Sequence, residues 1–280
     1  MSEELVLITG VSGFIGHEVL RQTLEAGYKI RAVIRKESNI ENTKKALANP
    51  ELFSKIKFSV VPDLAAPNAF AKSLSAVTSI IHVASPVGTS KPPLRRQNCP
   101  QPPLLAYAAS KAMSLDGAQE FIDKEKPNFD IVFLVPSLAI GASQLDTTAE
   151  DVSVHGTNKL VMNLLLGKSN DPSLGSSVSL HDVAKLHVLA LNKSVPAGRY
   201  MVASGGKEGT NWTDVIAIAK KYFPEESEKL FVKEGERHSV KINIDTTETE
   251  KAFGLKFQSF EEQVKSVVSS YLSLLKKDAK

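Results

Sequence analysis

The chain has 280 residues, a length that suits one large α/β domain or one such domain with a smaller lobe. Its apolar content of 42% and its charged content of 23% are those of an ordinary globular protein, which excludes a disordered or fibrous chain. A formal net charge of +3, spread along the sequence, is too small to indicate nucleic-acid binding.

The cysteine content and the N-terminus indicate the compartment. Cys99 is the single cysteine, which excludes an intramolecular disulfide and favours a reducing environment. The N-terminus lacks a basic segment, its apolar run 5–8 is too short for a signal peptide, and no apolar stretch is long enough to span a bilayer. We therefore expect a cytoplasmic protein with no membrane partner.

The first half of the chain alternates predicted strands with predicted helices. Residues 5–9 form a short apolar run that ends in glycine, which is typical of a buried parallel strand. A helix is predicted over 13–26, where apolar residues recur at helical spacing before Gly27. Further strands are predicted, in chain order, at 29–34, 57–61, 79–84, 130–135, 177–180 and 199–203. This alternation predicts βαβ units and a parallel sheet.

The segment 91–103 interrupts this alternation. It contains five prolines, a composition that supports neither a strand nor a helix. A helix is predicted immediately afterwards, from about residue 104 to about residue 124. The C-terminal part is predicted to be largely helical, with a capping-box pattern at 259–262 that opens the last helix.

Three glycines follow the first predicted strand and open the first helix. Glycines let backbone and ligand approach closely, and the amides and dipole of a helix N-terminus attract a pyrophosphate. The glycines are three residues apart, whereas the first two of the dinucleotide fingerprint are two apart. Because the turn still joins a strand to a helix, it predicts a Rossmann dinucleotide site, with a purely structural turn as the alternative. The predicted ligands are Gly10, Gly13, Phe14, Ile15 and Gly16.

The end of the second predicted strand discriminates between NAD and NADP. An acidic residue about 20 positions after the glycines binds the ribose 2′-hydroxyl of NAD, whereas an arginine there suits a 2′-phosphate. Arg35 and Lys36 stand at that position, and no acid follows the strand before Glu37. A forked arginine contact and a lysine point charge would both suit the phosphate. The sequence predicts NADP(H), with a solvated basic strand end as the alternative.

These residues and several further motifs resemble the extended short-chain dehydrogenase/reductases, in particular the branch of dihydroflavonol reductases and fungal ketone/aldehyde reductases. The resemblance extends over nearly the whole chain. The matching segments are VPDL at 61–64, HVASP at 82–86, YAASK at 107–111, VPSLAIG at 135–141, HDVA at 181–184 and FGLKF at 253–257.

The resemblance assigns three further segments to the cofactor. Asp63 and Leu64 would contact the adenine. The nicotinamide ribose would lie against Ala84, Ser85 and Pro86, and the carboxamide against Pro136 and Leu138. His82 is interpreted as a strand residue within its motif. Three further histidines, His155, His181 and His187, show no ligand spacing with any partner, so we predict no metal.

Tyr107 and Lys111 are the predicted catalytic pair. Residues four apart on a helix share a face, and a neighbouring ammonium favours the phenolate of a tyrosine. By the resemblance, Tyr107 exchanges a proton with the substrate oxygen, while Lys111 holds the ribose hydroxyls of the cofactor and assists Tyr107. The alternative is a Tyr-x-x-x-Lys pair that merely decorates a helix surface.

The family pattern also requires a serine or threonine on a strand ahead of the tyrosine helix, and this strand is missing. Only 20 residues separate Pro86 from Tyr107, where the family has several dozen more. Ser85, Ser90 and Ser110 lie nearby in sequence, but none matches the required position. We expect strand 130–135 to pair directly beside strand 79–84 instead, with the helix between them as a right-handed crossover.

The predicted fold is a doubly wound parallel α/β sheet with a small C-terminal substrate lobe. Residues 1–141, with a return at 177–205, would form the NADP-binding Rossmann domain. Residues 142–176 and 206–280 would form the substrate lobe. The sequence leaves the oligomeric state open.

The predicted function is NADPH-dependent reduction of a small-molecule ketone or aldehyde to an alcohol, impaired by the missing serine strand. Two alternatives stay open at this point. One is a catalytically silent NADP-binding protein, which the missing strand favours. The other is a nucleotide-sugar epimerase or dehydratase, against which the Ala84–Ser85–Pro86 motif and the basic second strand argue.

Overall fold

The computed structural model describes residues 4–85 and 103–279, with the backbone alone for residues 103 and 104. Pro86, Cys99 and most of the proline-rich segment lie outside the described residues. The chain forms two compact units, one of residues 1–83 with 132–280 and one of residues 84–131. The predicted division into a nucleotide domain and a substrate lobe stays a prediction.

The N-terminal part of the larger unit is a four-stranded parallel sheet. Its strands are β1 (Leu5–Thr9), β2 (Lys29–Ile34), β3 (Ile56–Val60) and β4 (Ser79–His82), in the order β3-β2-β1-β4. The helices α1 (Phe14–Glu25), α2 (Ser38–Leu47) and α3 (Pro50–Phe53) connect β1 to β2 and β2 to β3. The predicted βαβ units are therefore confirmed.

The apolar run of β1 is covered on both faces, as a central parallel strand requires. Val6 and Ile8 point to one face and pack with Val19, Leu20 and Leu24 of α1. Leu7 points to the other face and packs with Val33 and Val61. The run is continuous rather than alternating because both faces of the sheet are buried.

The rest of the larger unit contains three two-stranded sheets. They pair β5 (Val132–Pro136) with β9 (Gly198–Val202), β6 (Leu138–Ile140) with β8 (Ser177–Ser179), and β7 (Ser173–Leu174) with β10 (Ser239–Val240), all parallel. The helices are α5 (Ala149–Val154), α6 (Lys159–Leu165), α7 (Leu180–Leu189), α8 (Asp214–Tyr222), α9 (Pro224–Leu230), α10 (Thr247–Phe253) and α11 (Phe260–Asp278). Ser259 and Glu262 form the predicted capping box of α11.

The expected pairing of the strand near 130–135 with the strand near 79–84 is wrong. β4 is an edge strand of its sheet, and β5 pairs with β9 instead. The reason is the packing around α7, which hydrogen-bonds to α1 where Gln22 meets His181. The core beneath α7 also includes Phe14 of α1 and Leu134 of β5. The same core includes Tyr200 and Val202 of β9, so β5 packs beside β9 rather than beside β4.

The smaller unit contains α4 (Pro103–Glu125), which confirms the helix predicted after the proline-rich segment. Within the described ranges, no helix has both the length and the apolar character needed to cross a membrane.

Candidate functional site

The glycine turn between β1 and α1 is built by close backbone approach. Gly10 has a φ of 80°, and its carbonyl accepts a hydrogen bond from the Gly13 amide at 3.0 Å. A Cβ at Gly16 would lie 2.0 Å from the Gly10 oxygen, so any side chain there would force α1 away from the turn. Gly13 is the N-cap and has no side chain that could cap the helix. The first amides of α1, at Phe14 and Ile15, therefore stay available to an anion.

Two cations stand at the same end of the sheet as the glycine turn. Arg35 and Lys36 follow β2 directly, and both are exposed. β1 and β2 are parallel neighbours, so their carboxyl ends meet at one edge. In the described part of the chain neither cation has a hydrogen bond or an ion pair. Arg31 differs, because its guanidinium donates to the carbonyls of Ser73 and Ser75 at 2.8 and 2.7 Å.

The predicted adenine contacts also lie beyond the carboxyl end of a strand. Asp63 and Leu64 follow β3, and the Asp63 carboxylate accepts a hydrogen bond from the Ala65 amide at 2.9 Å. Leu64 packs against the core around Leu7. Ala84 and Ser85 come directly after β4, and Ser85 is exposed.

The predicted carboxamide contacts lie in the other sheets of the larger unit. Pro136 ends β5 opposite Val202, and the Ser137 amide donates to the Val202 carbonyl at 2.9 Å. Leu138 begins β6 and packs against the core of the C-terminal helices. Their contact with a cofactor stays a prediction.

The predicted catalytic pair lies on one face of α4. The Lys111 ammonium is 5.6 Å from the centre of the Tyr107 ring, and Tyr107 is half-buried. Lys111 is more than a third exposed, and the burial of the remainder lowers its pKa. The two side chains thus lie close together on α4, and the assistance of Tyr107 by Lys111 stays a prediction. The placement of this pair beside a nicotinamide stays a prediction.

Sequence reasoning missed a polar link between two strands at this edge. Thr9 ends β1 and is buried, and His82 ends β4 directly opposite it. The Thr9 hydroxyl and the His82 Nδ1 are 3.0 Å apart, within hydrogen-bonding distance. A threonine at the end of an otherwise apolar run was the available signal. His82 is confirmed as a strand residue.

The comparisons with known proteins agree with this geometry. The sequence model of the NAD dependent epimerase/dehydratase family matches residues 6–98. The chain is 29% identical to a ketoreductase, CTB6, of Cercospora beticola, over 99% of this chain and 98% of that protein. It is 22% identical to a putative NADPH-dependent methylglyoxal reductase, GRP2, of Candida albicans, over 97% and 99% of the two chains.

Solved structures share the fold. Gre2 of Candida albicans in complex with NADPH superposes with a TM-score of 0.79 at 17% identity, over 97% of this chain and 99% of that one. Vestitone reductase from alfalfa superposes with a TM-score of 0.71 at 19% identity, over 96% and 98%. The resemblance to the extended short-chain dehydrogenase/reductases is confirmed, and with it the Rossmann α/β fold and an oxidoreductase ancestry.

The alignment with the Cercospora beticola ketoreductase spans 349 positions. That length exceeds the 280 residues of this chain. The alignment therefore contains positions of the relative for which this chain has no residue.

Proposed function

We propose that the chain binds NADP(H) at the glycine turn, with Arg35 and Lys36 contacting the 2′-phosphate. The observation that carries this proposal is the combination of a close-packed glycine turn with two cations at the same sheet edge whose side chains have no partner among the described residues. The uncapped amides of α1 would hold the pyrophosphate, and the two cations would neutralise a phosphate dianion. The named NADPH complex of the Candida albicans relative supports this choice of cofactor.

The proposed reaction of this lineage is reduction of a small-molecule ketone or aldehyde to an alcohol. NADPH, when bound, supplies the hydride to the carbonyl carbon. Tyr107 would give a proton to the carbonyl oxygen, and Lys111 would stabilise the resulting phenolate. The ketoreductase and methylglyoxal reductase relatives support this substrate class.

The single cysteine supports a cytoplasmic location.

We further propose that this chain is a poor catalyst. In the described residues, the outer edge of β4 has no strand partner and β5 pairs only with β9. The slot expected to hold the serine-bearing strand is thus without a strand in the described part of the fold. The excess length of the alignment supports a missing internal segment. Without a serine donor, the developing charge on the substrate oxygen loses one hydrogen bond, which costs on the order of 10²–10³-fold in rate.

A silent NADP-binding protein is the second candidate, because the open edge of β4 affects the expected catalytic end and leaves the glycine turn intact. An epimerase or dehydratase is less favoured. UDP-glucose 4-epimerase from Bifidobacterium longum superposes with a TM-score of 0.62, lower than the 0.79 of the Gre2 complex. NADPH binding and carbonyl-dependent NADPH oxidation, measured on one sample, separate the reductase from the silent binder. Oxidation above background supports the reductase, and binding alone supports the silent protein.

A further inference from the structure

His17 is a buried polar side chain that the proposed cofactor chemistry does not use. It lies on α1 directly after Gly16 and is 1% exposed. Side chains on a helix lean toward its N-terminus, so the imidazole covers the glycine turn rather than the far end of α1. Its neighbours are the backbone of Val11 in that turn and the side chain of Gln144, in the segment 142–146 that follows β6.

The ring touches these neighbours without a hydrogen bond of normal geometry. Both ring nitrogens of His17 are buried, and neither has a partner within the described part of the chain. A neutral imidazole has one donor and one acceptor, and a protonated imidazole has two donors and no acceptor. The neutral ring leaves fewer unsatisfied donors and brings no charge into the contact, so it suits this site better than the cation.

The burial of His17 also favours the neutral ring. Burial lowers the pKa of His17, and the nearby Gln144 and Glu18 offset this effect only partly. The Glu18 carboxylate is already occupied, because Arg21 donates to it at 2.8 Å and His181 of α7 lies 3.7 Å away. The positive end of the α1 dipole disfavours an imidazolium as well.

We propose that His17 is a positioning residue, which holds the glycine turn against the segment 142–146 while it is neutral and releases this contact when it is protonated. A buried imidazolium needs an acceptor for each of its two N–H groups, and neither ring nitrogen of His17 has a hydrogen-bond partner in the described part of the chain. The turn is the proposed pyrophosphate site, so the effect on the cofactor rests on the proposed function. Cofactor affinity should fall as His17 takes up a proton.

The lowered pKa fixes the sign of the pH dependence. His17 in the unfolded chain binds its proton near the ordinary value of 6.5, and the folded chain does so only at lower pH. Between these two values the folded state binds fewer protons than the unfolded state. The contribution of His17 to stability is therefore complete above pH 6.5 and is lost as the pH falls from 6.5 toward the lowered pKa.

The experiment compares the wild-type chain with His17→Gln and His17→Phe, neither of which titrates at this position. Urea unfolding without ligand and NADPH binding by fluorescence are measured from about pH 5.5 to about pH 8. Wild-type NADPH affinity should fall by up to about tenfold per pH unit relative to His17→Gln once His17 begins to protonate. The exposed His155, changed to Gln, is the matched control and should behave as wild type.

Identical pH profiles of wild type and His17→Gln, in both unfolding and binding, would overturn the proposal. If NADPH binds neither protein at any pH, the proposed cofactor site fails, while the unfolding profiles still decide the role of His17. If both variants fail to fold, the pKa of the wild-type imidazole by NMR decides. A value above the ordinary 6.5 would then refute a neutral positioning role.

Discussion

At the residue scale, the proposed cofactor site depends on a few side chains whose surroundings differ. Arg31 and Arg35 are both cations of the same strand region, but Arg31 is engaged with two carbonyls and Arg35 has no partner among the described residues. The sequence alone could not separate these roles, because strand position does not reveal what a long side chain reaches. The structure therefore directs the cofactor test to Arg35.

Replacing Arg35 by Ala should weaken NADPH binding by about 1.5–3 kcal/mol, the range for a hydrogen bond to a charged group. NADH, which lacks the 2′-phosphate, should bind the variant as it binds wild type. Lys57→Ala removes one exposed cation from β3 and is the matched control for the change in net charge. Equal affinity of the unaltered chain for NADPH and NADH would contradict the proposed preference for NADP(H).

Gly16→Ala tests the closeness of the turn. The added Cβ would lie 2.0 Å from the Gly10 oxygen, so α1 must shift and the amide cradle with it. We expect a loss of about 1–3 kcal/mol in the free energy of unfolding, as for other overpacked sites, together with loss of NADPH binding. Gly117 lies in α4 with open space around it, so Gly117→Ala should stabilise by up to about 1 kcal/mol. If Gly16→Ala changes neither the free energy of unfolding nor NADPH binding, the turn is not closely packed at Gly16.

Tyr107→Phe tests the proton donor. If the chain turns over a carbonyl above background, this variant should abolish turnover and leave NADPH affinity nearly unchanged, because only the hydroxyl is removed. Assays of NADPH oxidation measure the turnover of this variant, and fluorescence titrations measure its NADPH affinity. Tyr28→Phe removes a hydroxyl from a different tyrosine and should change neither. Full activity of Tyr107→Phe would place the chemistry elsewhere.

At the scale of elements, β4 is the edge strand of the N-terminal sheet within the described residues. Ile81 is 5% exposed and packs under α1, whereas Ile80, on the opposite face, is 56% exposed. Parallel sheets are normally covered on both faces. The exposure of Ile80 therefore shows that this face of β4 is uncovered within the described residues.

Ile80→Thr and Ile81→Thr form a matched pair on this strand. The exposed position should change the free energy of unfolding by less than about 0.5 kcal/mol. The buried position should lose about 1–3 kcal/mol, because apolar contact is lost and a hydroxyl is buried. Chemical denaturation measures both. Equally large losses would show that both faces of β4 are covered.

The sequence predicted the elements better than their pairing. The strands around 5–9 and 29–34 were predicted with the bounds of β1 and β2, because a continuous apolar run and a glycine stop are local signals. The pairing of β5 was predicted wrongly, because it is set by the distant core beneath α7. The Thr9–His82 link was not predicted, because cross-strand contacts depend on register.

At the scale of the whole molecule, the proposed pyrophosphate turn lies in the larger unit and the proposed catalytic pair lies in the smaller unit. The turn, its cations and the core of β1 to β3 are complete within the described residues. The expected serine-bearing strand has no counterpart among the described strands. Sequencing the transcript across codons 87–106 would show whether the gene encodes such a strand. The account therefore predicts binding without efficient catalysis.

The most direct test measures NADPH affinity and NADPH oxidation, with a panel of ketones and aldehydes, on one purified sample of this chain. A relative that has the additional segment is assayed in parallel. The account predicts that both proteins bind NADPH and that this chain turns over about 10²–10³-fold more slowly. Turnover as fast as that of the relative, or failure of this chain to bind NADPH, would contradict it.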